Sequence, residues 1–234
     1  MFRKTWLVCM ALVAGLTSGL TAGEIPEVFK PYFEEGKPVR AEIVTVAPPK
    51  EFEGFIQKLG EAAQKDPEWF KEHSKKTPAG SPIPVYDTQL GMTEDEYNNY
   101  VKLWDQRKVV KQADVALMLT KESDNVWKIN GSGPASNLTL LRYQVDKDAF
   151  TSTNGELKRI ADIAAPAHSM FGAWNGKEWR YLSENSLGKI KENIALGMTG
   201  DKKYGMLVYR LQEVTAAGRP LLDRSMVIRF LPVK

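Results

Sequence analysis

Cysteine and histidine are almost missing from this chain: Cys9, His73 and His168 are all there is. A zinc centre takes three or four His, Cys or carboxylate ligands at roughly 2.0–2.3 Å, and two distant histidines do not supply it. One cysteine makes no intramolecular disulfide. No Gly-x-Ser-x-Gly elbow marks a serine hydrolase. Gly131-Ser132-Gly133-Pro134 lacks the Lys-Ser/Thr pair and the following helix of a phosphate loop. Oxygen ligands for calcium exist in Asp146, Asp148 and Asp162, but without EF-hand spacing. Asp146-Lys147-Asp148 reads as a polar turn. The expectation is a chain without metal or cofactor.

Charge of one sign is also scarce. The 32 Lys and Arg against 29 Asp and Glu leave a net charge of +3. Two of the positive charges, Arg3 and Lys4, sit in the first few residues. No basic stripe argues for nucleic acid or an anionic membrane surface. Beyond the N-terminus, no run is long and apolar enough to span a membrane.

The N-terminus carries the features of an export signal. Arg3 and Lys4 precede an apolar stretch over Trp6–Leu16, and small residues follow through Ala22 and Gly23. The expectation is cleavage of residues 1–23, leaving a mature chain near Glu24. Cys9 lies inside the apolar stretch, after Trp6-Leu7-Val8, so it does not fit a lipoprotein signal and leaves with the peptide. A mature chain free of thiols points to a bacterial periplasmic or secreted protein. Asn130-Gly131-Ser132 and Asn137-Leu138-Thr139 match the glycosylation sequon, which matters only in a eukaryotic source.

What is present in quantity is aromatic: six Trp, eight Tyr and nine Phe. That is a core-forming composition, not a disordered one. The periodicity divides the mature chain into residues 24–110, mainly helical, and residues 111–234, mainly β. The two can also form one integrated domain. In the first part, Arg40–Ala47 alternates as one strand. Phe52, Phe55, Ile56, Leu59 and Ala63 recur at helical spacing after Pro48-Pro49. Asp66-Pro67 is a cap with a first-turn proline. Residues 77–84 hold three prolines and read as a loop. Thr93 to Glu96 forms a capping box before the stripe Tyr97, Tyr100, Val101 and Trp104. His73 falls near a helix C-terminus and reads as solvent-facing.

From 112 onward short strands and turns alternate. Asn-Gly at 130–131, 154–155 and 175–176 suits hairpin turns. The clearest expected hairpin joins Phe171–Trp174 to Lys177–Leu182. Longer strands follow over Ile190–Met198, Tyr204–Val214 and Leu221–Leu231. About seven strands at meander spacing give an α+β fold, with an N-terminal helical segment packed on a C-terminal antiparallel sandwich or partial barrel.

The candidate functional residues are His168, Trp174, Trp179 and Tyr181. His168 precedes an aromatic segment in a stretch dense with turn residues, where loops on a rigid β scaffold carry function. The aromatic side chains can stack on a sugar or an apolar ligand. Glu178, Glu184 and Glu192 read as solvated strand faces. The leading functional expectation is an exported, noncatalytic binding or envelope-accessory protein, holding a protein partner or a small apolar or sugar ligand. Two others stand beside it: a hydrolase using carboxylates, with His168 as a possible member, and a structural or assembly subunit.

Overall fold

The computed structural model describes residues 24–78 and 81–231. The expected signal peptide and Cys9 lie outside the described residues. The fold is mostly β with some helix. Ten antiparallel strands form one sheet: β1 (Pro38–Ala47), β2 (Lys108–Ser123), β3 (Val126–Gly131), β4 (Arg142–Gln144), β5 (Ala149–Thr151), β6 (Glu156–Ala165), β7 (Trp174–Asn185), β8 (Gly188–Thr199), β9 (Gly205–Thr215) and β10 (Pro220–Phe230). Each pairs with the next, and β10 returns to β1, so the sheet closes into an up-and-down barrel. No helix among the described residues is long and apolar enough to cross a membrane.

Two expectations are corrected here. The sheet is a closed barrel, not a sandwich or an open partial barrel, because the strand read at 40–47 becomes its first stave. The helices do not precede the β region; they are an insertion between β1 and β2. A short 3-10 turn (Lys50–Phe52) leads into α1 (Glu53–Lys65), and α2 (Pro67–Ser74) and α3 (Glu94–Asp105) follow. Their caps were legible in the sequence. Asp66 accepts from the Trp69 amide at 3.0 Å. The Thr93 hydroxyl accepts from the Glu96 amide at 3.2 Å, and the Glu96 carboxylate accepts from the Thr93 amide at 2.8 Å. The helices share an aromatic core of their own, with Phe52, Phe55, Leu90 and Trp104 buried together. His73 belongs to this part and does not face solvent. It is 3% exposed, stacked on Trp69 at 4.7 Å, with Nε2 2.7 Å from the Val85 carbonyl.

The period-two alternation sends one set of side chains inward. Eight strands make a barrel that ordinary side chains fill, so ten enclose more space. Large rings take it up: Trp127, Phe150 and Trp179 are at most 1% exposed. Trp179 also donates from Nε1 to the Asp148 carbonyl at 2.9 Å. The chain before β1 supplies the rest. Its turn over residues 26–33 places Phe29 edge-on to Tyr143 at 5.2 Å and Phe33 against Phe230 at 5.3 Å. This plug fills the end of the barrel where β1 begins and β10 ends.

Of the three Asn-Gly pairs, only 154–155 makes a turn, between β5 and β6. Asn175-Gly176 runs through β7, and the hairpin expected there does not form. The glycine serves a close approach instead. A Cβ on Gly176 would lie 2.3 Å from the Leu196 carbonyl oxygen, and one on its partner Gly197 would lie 2.1 Å from that of Asn175. Asn-Gly permits a tight turn but does not compel one.

Two stability tests follow from this packing. Phe29→Ala removes a fully buried ring from the plug and is expected to cost about 4 kcal/mol, read as a lower urea midpoint. An unchanged midpoint would show that the plug adds nothing. The second concerns alkali. Burial raises the Tyr32 phenol from its ordinary 10.0 to about 12, and burial also raises Tyr143 and Tyr209. A raised phenol favours the fold while neutral. Below pH 10 Tyr32 is neutral in both states and its contribution is complete; from pH 10 to 12 the unfolded chain ionises first and that contribution is lost. Tyrosinate absorbance and far-ultraviolet dichroism recorded together should show these phenols ionising only as the barrel unfolds. Full ionisation before any loss of β signal would overturn this.

Candidate functional site

The barrel is closed by a short seam. β1 and β10 pair only over Ala41–Ile43 with Phe230–Ile228. The Leu231 amide continues the ladder by one bond, to the Arg40 carbonyl at 2.8 Å. Glu42 and Arg229 reinforce it across the outer face at 2.7 Å, both largely buried. Beyond Ile43 the register of β1 against β2 shifts, and β1 follows β2 away from β10. A groove opens where the two strands part.

That groove has a cavity volume of about 560 Å³. Ile43 and Val46 line it from β1 and Met226 from β10, while Phe52, Ile56 and Trp104 roof it from the helical insertion. Its wall is mostly hydrocarbon and aromatic. Two of its apolar side chains lie in solvent at its rim, Ile56 at 55% and Met170 at 46% exposure.

Met170 comes from the loop between β6 and β7, residues 166–173, the region singled out in the sequence. Phe171 of this loop packs on Val44, Met206 and Val227, outward-facing residues of β1, β9 and β10. A second cavity of about 400 Å³ lies on the other side of Phe171, lined by Thr199, Tyr204 and Arg229 among others. The Arg229 guanidinium sits over the Tyr204 ring at 4.9 Å.

The loop is pinned to α3. Trp104 donates from Nε1 to the His168 carbonyl at 2.5 Å. Arg107 donates to the Ala167 carbonyl at 2.8 Å, to the Met170 carbonyl at 3.1 Å and to the Trp104 carbonyl at 3.0 Å. Its side chain is 8% exposed and lies over the Trp104 ring at 5.1 Å. Burial lowers the Arg107 guanidinium below its ordinary value, partly offset by Asp105. Within the loop, the Ser169 amide donates to the Pro166 carbonyl and the Ser169 hydroxyl to the Gly172 carbonyl.

The four residues picked from the sequence do not converge. His168 contributes its carbonyl to the pin, and its half-buried ring lines none of the cavities described here. Trp174 opens β7 with the opposite parity to Trp179 and Tyr181, and covers the outer side of Gly197. Trp179 is fully buried in the barrel, and Tyr181 packs against the same core beside Gly155.

Sequence reasoning passed over Arg107 and Phe171. The signal for a cover over the outer face was present: Val227 and Val44 are apolar residues on the face of a strand opposite the core, and a strand apolar on both sides is covered on both. Nothing in the sequence singled out Arg107, since a guanidinium serving three backbone carbonyls has no motif.

Glu192 is a further departure. It was read as solvated, yet it points into the barrel and is 1% exposed. It accepts from the Ser152 hydroxyl at 2.7 Å, from Asn154 Nδ2 at 2.8 Å and from the Tyr209 hydroxyl at 3.0 Å. Glu178 lies on the outer face, where it accepts from Asn193 and Arg180. Asp148, in the turn expected at 146–148, is paired with Arg159 at 2.8 Å and accepts from Tyr143 at 2.7 Å.

Compared with protein-family models, with curated proteins and with solved structures, the chain matches none.

The pin is testable. Trp104→Phe keeps an aromatic ring and deletes the indole donor; the lost hydrogen bond should cost about 1 kcal/mol, with a further loss from the space the smaller ring leaves. Amide exchange over residues 167–172 should accelerate while the barrel strands keep their protection. Unchanged exchange in the loop would show that the pin does not hold it.

Proposed function

We propose that this is an exported, noncatalytic binding protein that holds a small apolar ligand in the groove at the barrel seam. One observation carries the reading: a cavity of about 560 Å³, walled largely by apolar side chains, where the closed sheet parts and a separate helical layer roofs the gap. The volume falls within the roughly 300–1,000 Å³ common to small-molecule sites. Rigid strands on one side and a loop fixed through backbone bonds on the other favour a preformed site, which spares the ordering cost of binding. Export rests on the positive, apolar and small-residue sequence of residues 1–23, and N-terminal sequencing of the processed protein should begin near Glu24.

The hydrolase reading has less to support it. Glu192 has both carboxylate oxygens engaged by donors. Among the described residues, His168 lines neither the groove nor the cavity that holds Glu192.

The test uses an environment-sensitive dye bearing a long alkyl chain, titrated into the purified protein. Saturable binding at one site per chain is expected. Ile56 and Met170 are exposed, so Ile56→Glu with Met170→Glu should leave the fold intact and weaken binding at least tenfold. Absent saturation, or equal affinity in the double variant, would remove the groove as the site.

A further inference from the structure

A third, chemically different cavity lies inside the barrel mouth, towards the end opposite the plug. It has a volume of about 180 Å³ and shares no lining residue with the groove. Glu192, Ser152 and Tyr209 form its polar side, Leu141 and Leu211 its apolar wall, and Arg224 lies at its rim.

The two charged groups of this cavity, Glu192 and Arg224, make no ion pair with each other. Glu192 is buried, and its three partners are the neutral groups of Ser152, Asn154 and Tyr209. An ionised carboxylate offers about four acceptor positions, so one is left over. Removing a carboxylate from water without a cation is costly. The Arg224 side chain, conversely, is exposed and enters no hydrogen bond or ion pair among the described residues. A buried anion without a cation and an arginine without an anion thus line the same small space.

We propose that this cavity binds a small zwitterion, an α-amino acid or a short ω-amino acid, with its ammonium group on Glu192 and its carboxylate on Arg224. The ammonium supplies the charge that Glu192 lacks and fills its remaining acceptor position. Ser152, Asn154 and Tyr209 fix the carboxylate in advance, so binding does not have to order it. Arg224 offers a planar donor fork that matches a ligand carboxylate. The volume equals roughly six waters, room for a few heavy atoms between the two charges. It is too small for the alkyl-chain dye used to probe the groove, and the two sites share no residue.

The experiment is calorimetric titration of the purified protein with glycine, β-alanine and γ-aminobutyrate, and with the half-ligands methylammonium and acetate. At least one amino acid should bind saturably, one per chain, and at least tenfold more tightly than either half-ligand. Glu192→Gln keeps the side chain's shape and Arg224→Gln lies at the exposed rim; each should weaken binding at least tenfold. If Glu192→Gln fails to fold, Arg224→Gln alone decides. The proposal is overturned if no member of the series binds, if a half-ligand comes within tenfold of the best amino acid, or if Arg224→Gln binds as the unaltered protein does.

Discussion

The structure depends on three residue pairs. Ala41, Glu42 and Ile43 of β1 meet Phe230, Arg229 and Ile228 of β10, and only there does the sheet become a barrel. The other strand contacts join consecutive strands, through short loops except where the helical insertion separates β1 from β2. The seam joins residues 187 apart. Closure entropy grows only with the logarithm of loop length, and by that stage the meander has already brought the two ends near each other. What the seam must supply is a stable edge. It does so through the ladder, the largely buried Glu42–Arg229 pair, and Tyr204 under the Arg229 guanidinium.

The brevity of that seam creates the groove. Full pairing of β1 with β10 would leave no gap beyond Ile43. With the register shift, β1 stays with β2 and carries the helical insertion outward from its end at Ala47. The insertion and the 166–173 loop then meet over the parted strands, and Trp104 and Arg107 fasten them through backbone carbonyls. The resulting wall is apolar on the strand side and aromatic on the helix side. Room for an apolar ligand therefore lies beside the barrel, because the interior at the plugged end and the middle is taken by Trp127, Phe150, Trp179 and the Phe29 plug.

The barrel mouth follows a different rule. Here an inward-facing position is occupied by Glu192, and the fold satisfies it with hydroxyl and amide donors from the β5–β6 turn and β9. A carboxylate in that place restricts what can fill the mouth. Hydrocarbon alone would leave a charge without compensation, whereas on the outer faces of β7 and β10 Glu178 and Asp223 take ordinary surface partners.

Much of this was legible in the sequence, by local physics. Capping at Asp66 and Thr93 depends on side chains three residues from the amides they serve, so chain order is enough to identify it. The long strands at 188–199, 205–215 and 220–230 announce themselves by alternation, and the aromatic content implies a large core. What the sequence could not decide was which face of each strand turns inward and which distant segments meet. Period-two alternation looks the same from either side, so Glu192 read as solvated, and a turn expected at Asn175-Gly176 left open which side Trp174 takes relative to Trp179 and Tyr181. Asn175-Gly176 carries the residues of a turn, but the crossing of β7 and β8 claims its glycine. His73 sits where a helix end meets solvent in an isolated helix, and only the packing of Trp69 and residues 83–86 buries it. Closure of the barrel, the groove at its seam and the pairing of Glu192 with its donors all join residues far apart in the chain. Those contacts exist only once the sheet has curled on itself, and that is why tertiary structure alone determined them.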